Sequence, residues 1–141
     1  MTGEPTRPNL ADSVRLFFEA ANRRDLETVM SVHAPDAVYE AVSLGTSFEG
    51  VGSIRGFLED WLGAYEEHQF EPEELVDLGN GVVFVVVRLT ARPVGSMGSG
   101  LMRHRPLAFL WLNGLVARIT AYAGSIDDGR ASAERLSKSR A

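Results

Sequence analysis

Three histidines, three tyrosines and one arginine set into an apolar run are the residues best suited to move a proton or hold a polar group. His104 stands within Arg103-His104-Arg105. On a strand, alternation puts His104 on the face opposite both arginines. If the arginines meet water, the imidazole points inward, where it can take or give a proton near neutral pH. The bland reading is a core or interface histidine with one satisfied hydrogen bond. Tyr39 and Tyr122 are the acids that would complete such a set, provided all reach one substrate. Arg88 interrupts the apolar run Val82–Leu89. A buried arginine must be paired, so Arg88 is expected either in an ion pair with Glu40, Asp60 or another acid, or as an anion-binding group. A third place for it is a dimer face, with its end exposed.

The other chemistry-bearing residues point to quieter roles. His33, beside Pro35, is expected to cap the end of a helix, where the dipole favours it. His68, between Glu67 and Gln69, is expected to be exposed. No pair of histidines has His-x-x-x-His spacing, so no metal site is expected. There is no cysteine, which excludes disulfide scaffolds, zinc fingers and thiol chemistry. Glu66, Glu67, Glu71, Glu73 and Glu74 read as a solvated face, without the loop pattern of a calcium site. Gly95, Gly98 and Gly100 lack the lysine of a phosphate-binding loop and lead into a strand. They read as a flexible connection that can gate a pocket. No cofactor is expected.

These groups must be positioned by a chain of 141 residues, with 14 Lys+Arg against 19 Asp+Glu and a net charge of −5. One domain is expected over residues 10–137, with tails at 1–9 and 138–141. The acidic balance argues against a nucleic-acid partner. No apolar run is long enough for a membrane span. Residues 1–9 hold two prolines and no apolar leader stretch, so a cytoplasmic location is expected.

The first helix begins near Asp12, with Val14, Phe17, Phe18 and Ala21 at helical spacing. Asp25 caps a second, shorter helix that Pro35 ends. Ala37–Val42 reads as a short strand with a brief return around Phe48. Ser53 is the expected cap of a third helix, where Ile54, Phe57, Leu58, Trp61, Leu62 and Tyr65 trace one face. The period then changes. Strands are expected over Phe70–Leu78, Val82–Arg92, Leu101–Leu112 and Leu115–Tyr122, joined in part by Asn80-Gly81 and Asn113-Gly114 hairpin turns. A last helix starts near Asp127. The fold class is α+β, with helices on one face of a curved sheet. Val82–Leu89 is apolar on both faces and needs cover on both. A homodimer through the open sheet face is the economical source of that cover.

This arrangement resembles the SnoaL-like and ketosteroid isomerase-like branch of the nuclear transport factor 2-like superfamily. The resemblance is carried by Ala20-Ala-Asn-Arg-Arg-Asp25-Leu, His33-Ala-Pro-Asp36-Ala-Val-Tyr-Glu40 and Phe48-Glu-Gly50-Val-Gly-Ser-Ile-Arg-Gly-Phe-Leu58. Asp77-Leu-Gly-Asn-Gly-Val-Val83 and Leu110-Trp-Leu-Asn-Gly114-Leu-Val-Ala-Arg-Ile119 extend it over about residues 10 to 137. It implies a cone: a curved antiparallel sheet with three N-terminal helices on its concave face and a short C-terminal helix. Relatives include isomerases, cyclases, epoxide hydrolases, dehydratases and plain ligand binders, so fold does not settle function.

The resemblance also implies positions for catalytic groups. The isomerase base falls at Ala41, and its tyrosine donor at Phe17 or Phe18. Glu40 is one residue away, on the opposite face. The epoxide-hydrolase arginine matches Arg88, but Thr90 stands where its aspartate belongs, and Tyr122, Ala123 and Gly124 supply no second one. A cyclase-type pair would have His104 without a carboxylate. What remains is a hydrophobic pocket for a small apolar or weakly polar molecule, with Phe17, Trp61, Arg88 and Trp111 as its binding residues and Tyr39 and Tyr122 beside them. Two other readings stand: an enzyme built on His104, and a dimeric interaction module without a ligand.

Overall fold

The computed structural model describes residues 9–98 and 100–141. The tail expected over 1–9 lies, except for Asn9, outside the described residues. The chain runs α1 (Leu10–Asn22), α2 (Leu26–Ser31), β1 (His33–Ala41), a 3₁₀ turn (Val42–Leu44), β2 (Thr46–Glu49) and α3 (Val51–Ala64). It continues as β3 (Tyr65–Gly79), β4 (Val82–Pro93), β5 (Leu101–Leu112), β6 (Leu115–Ala121) and α4 (Ile126–Ser139). The six strands form one open sheet in the order β2-β1-β6-β5-β4-β3. Strands β3 to β6 are the expected meander; β1 lies parallel to β6, the one departure from antiparallel pairing.

Local chemistry sets the helix starts. Asn9, in extended conformation, accepts from the Asp12 amide at 2.8 Å and caps α1. Asp12 therefore sits in the first turn, where a carboxylate still meets the helix dipole favourably. Asp25 caps α2 as expected, accepting from Thr28. The cap of α3 is Gly50, not Ser53: its φ of +85° is a conformation that glycine adopts without strain. Pro35 lies inside β1, where the pairing with β6 slips between His33 and Val38. A proline has no N–H to give that ladder.

The sheet's inner face holds the main core. Val83, Val85, Phe109 and Val116 are fully buried there against Val14 and Phe18 of α1. The outer face is covered within the chain. Gly129, Ala133 and Ser137 form a small-residue stripe along α4, one helical turn apart. That stripe lets α4 lie close over Phe84, Val86 and Ala108. A β-carbon on Gly129 would come within 2.9 Å of Pro106. Arg130 grips Glu74 of β3 with two nitrogens, and Ser137 donates to the Leu78 carbonyl at 2.9 Å. The second layer that Val82–Leu89 demands thus comes from α4, and its last turn takes in Lys138 and Ser139 from the expected tail. Among the described residues no helix is long and apolar enough to cross a membrane.

Candidate functional site

Away from the packed end, helices and sheet part to leave a cavity of about 320 Å³. Alternation decides which side chains reach it. Inward positions Val87 and Leu89 of β4, Leu107 and Phe109 of β5, and Tyr39 and Ala41 of β1 make its floor. Phe17 and Phe18 of α1, Val29 of α2, and Phe57 and Trp61 of α3 close it from above. The rings are fitted to one another. Phe17 meets Phe109 edge-on at 5.1 Å, and Trp61 stacks on Phe70 at 5.3 Å. Such pairs add to the burial of their area.

Few polar groups interrupt this wall, and three of them, Arg24, Asp25 and His33, are already engaged. Asp25 accepts from the Thr28 hydroxyl at 2.6 Å, and that bond chiefly holds its pKa below the usual carboxylate range. Arg24 donates to the carbonyls of Leu62, Tyr65 and Glu66 at 2.6–3.1 Å, tying the turn after α1 to the end of α3. His33 is buried, and its Nδ1–H donates to the Val29 carbonyl at 2.9 Å. Burial pushes its pKa down, so the ring is neutral. Its Nε2 is buried without a hydrogen-bond partner among the described residues. Tyr39 is half-buried; burial raises its pKa, while the Arg105 charge pulls it back. Arg105 lines the cavity half-buried, and its side chain has neither a hydrogen bond nor an ion pair among the described residues.

The structure places three of the expected site residues on the cavity, Tyr39, Phe17 and Trp61, and puts the others elsewhere. His104 points outward, where its Nε2 meets Glu73 at 3.0 Å. The expected inward histidine is therefore corrected: Arg105, Leu107 and Phe109 share the inner face, and His104 lies on the other. Arg88 is also outside, flanked by inward Val87 and Leu89 and paired with Glu71 and Glu73 of β3. Neither Glu40 nor Asp60 is its partner; Glu40 pairs with Arg118 at 2.8 Å on the outer face. Tyr122 packs against the α4 cluster, not the cavity. Trp111 is on the inner face but belongs to the closed end, stacked 6.4 Å from Phe109. The set His104, Tyr39 and Tyr122 is thus not brought together.

Sequence reading missed three groups. Arg105, which the sequence offers only conditionally, as a water-facing neighbour of His104, lines the cavity. His68 is not exposed: its Nε2–H donates to the Ala21 carbonyl at 2.7 Å and its ring lies edge-on to Trp61. His33 does bond a helix carbonyl, as a cap would, but from a buried position opening β1. The signal that locates Arg105 is its parity with Phe109, four residues on.

A family model described as a SnoaL-like domain matches residues 14–119. No curated protein matches significantly. Among solved structures, an NTF2-like protein of unknown function from Burkholderia pseudomallei is 21% identical, with 88% of this chain and 97% of that one covered and a TM-score of 0.72. TerC, co-crystallised with polyporic acid, is 15% identical over 84% of this chain and 94% of its own, TM-score 0.68. A Catenulispora acidiphila protein with a ketosteroid isomerase-like fold, in complex with trimethylamine, is 14% identical over 84% and 88%, TM-score 0.67.

Proposed function

The chain belongs to the SnoaL-like domain family, and we propose that it binds one small, largely apolar, ring-bearing molecule in its cavity without turning it over. The observation that carries this reading is the hollow itself. Its 320 Å³ falls within the range of about 300–1,000 Å³ usual for small-molecule sites, and its wall is apolar and aromatic with a few polar groups. A module that only bound other proteins would have no need of such a space. Binding is favoured over catalysis because the wall's one carboxylate, Asp25, is spent on capping α2. Ala41 occupies the position at which the family resemblance puts a base, and it faces the cavity.

Native mass spectrometry against steroids, aromatic polyketides and terpenoids tests the proposal. One ligand per chain is expected, and Ala121→Leu, which pushes a larger side chain into the cavity, is expected to abolish the complex. Failure of every flat hydrophobic compound to bind, or equal binding to the Ala121→Leu protein, rules it out. Measured turnover of a bound compound would move the reading to an enzyme built on Tyr39 and Arg105.

A further inference from the structure

Of the fold's neighbours, one was crystallised with an acid and another with an amine. The fold therefore leaves the charge of a ligand open, and it must be read from this chain's own wall. Three charged side chains reach the cavity: Arg24, Asp25 and Arg105. Arg24 is held by three carbonyls and Asp25 by Thr28. Among the described residues, Arg105 alone of the three has no partner for its side chain. The contrast with other arginines is direct: Arg55, Arg88, Arg92, Arg118 and Arg130 each have a carboxylate partner. Arg103, which also lacks one among the described residues, is exposed and off the cavity wall.

A guanidinium drawn half out of water with nothing to pair is costly unless a partner arrives. We propose that the partner is the ligand: the cavity takes a flat, mainly apolar molecule bearing a single ionised oxygen group, which Arg105 binds. This rests on the binding reading above and adds the ligand's charge and orientation. The strand register sets the direction of the ligand. Ala41 lies across from Ala121, and Ala121 from Leu107. Arg105 is the next inward position beyond Leu107, whereas Tyr39, across from Ile119 and level with Phe109, lies on the other side of that row. Burial raises the Tyr39 pKa, so its phenol stays protonated, a neutral donor along the ligand's ring body and not beside the ionised group. Arg105 thereby sets the end of the cavity at which the ionised group sits, with the ring body running inward to Phe109 and Phe17.

Titration of the whole chain with naphthoate, ionised hydroxynaphthoquinone and neutral naphthamide, followed by Trp61 fluorescence or calorimetry, tests this. A carboxylate or enolate is expected to bind about tenfold or more tighter than the amide, the usual scale of a charge-assisted hydrogen bond. The first two probes tell a carboxylate-binding site from an enolate-binding one. Arg105→Gln should erase the preference while leaving amide binding in place. Arg105→Lys should keep part of it, and Arg103→Gln should keep all of it. Equal binding of acid and amide by the unaltered protein overturns the anchor and leaves the cavity reading intact. Absence of binding by all three overturns both. An acid preference that survives Arg105→Gln also overturns the anchor.

Discussion

The inner face of the sheet has two ends that use the same strands differently. At one end, Val83, Val85, Trp111 and Val116 pack against Val14 until almost nothing reaches solvent. At the other, Val87, Leu89, Leu107 and Ala121 form an equally apolar surface, yet the helices stand off from it. The difference arises in the helices. Val14 lays α1 on the closed end, whereas α3 is held over the open end by its own edge contacts. Phe57 stacks on Phe48 of β2 at 4.4 Å, and Arg24 ties the end of α3 to the turn after α1. Hydrophobic patterning specifies a surface that must be covered; the cover's stand-off makes it a core or a site.

Phe109 is the partition between the two ends, fully buried and touching Phe17, Phe18 and Trp111. Phe109→Ala is the strongest way to break the comparison. It should cost about 3–5 kcal/mol in urea unfolding, since the cavity would run into the packed end. A loss below about 1 kcal/mol would mean that the closed end is not truly packed.

The next pair sharpens the comparison. Val85→Leu adds a methylene at the packed end and should cost about 1–3 kcal/mol. Ala121→Leu adds more volume, but beside the hollow, and should change stability by less than that while removing naphthoate binding. If the larger insertion proves the more destabilising, the cavity is not free space.

A smaller contrast comes from protons. His33 and His68 both have pKa values pushed down, chiefly by burial. Their folded values thus lie below the ordinary 6.5, so between the two values the unfolded chain binds more protons. The neutral rings contribute fully above about pH 6.5. That contribution is lost as the pH falls toward the folded values. Thermal unfolding is therefore expected to come at a lower temperature at pH 5.5 than at pH 7.5, and less so in His33→Gln at the hinge of α2 and β1. An identical pH dependence in His33→Gln would assign the effect to His68 or the carboxylates.

The elements were legible because each carried its own signal: helical spacing through Trp61, Asn-Gly at both hairpins, a switch to period two after Phe70. Face assignment was not. Alternation correctly set His104 opposite its two arginines, but the run Pro106–Trp111 is buried on both faces because α4 covers the outer one. With both parities apolar, nothing local in β5 said which was inward. The same double burial hid Arg88. Tyr39, Phe17 and Trp61 were readable since each lies on an element with one wet face. The bulge between Pro72 and Glu74 brings Glu74 to the outer side beside Glu73, supplying Arg130 with a partner that strict alternation would not provide.

The smallest expected effect is the one that separates neighbours in sequence. His104 and Arg105 are adjacent, yet one meets Glu73 at the surface and the other lines the cavity. His104 and Glu73 are each roughly two-fifths exposed, at 41% and 38%. Exposed ion pairs contribute little, so His104→Gln should shift stability by no more than about 0.5 kcal/mol. Naphthoate affinity should not move at all, whereas Arg105→Gln lowers it. A drop in affinity on His104→Gln would mean that the outer charge cluster reaches through β5 to orient Arg105, and the two faces would then have to be treated as one site.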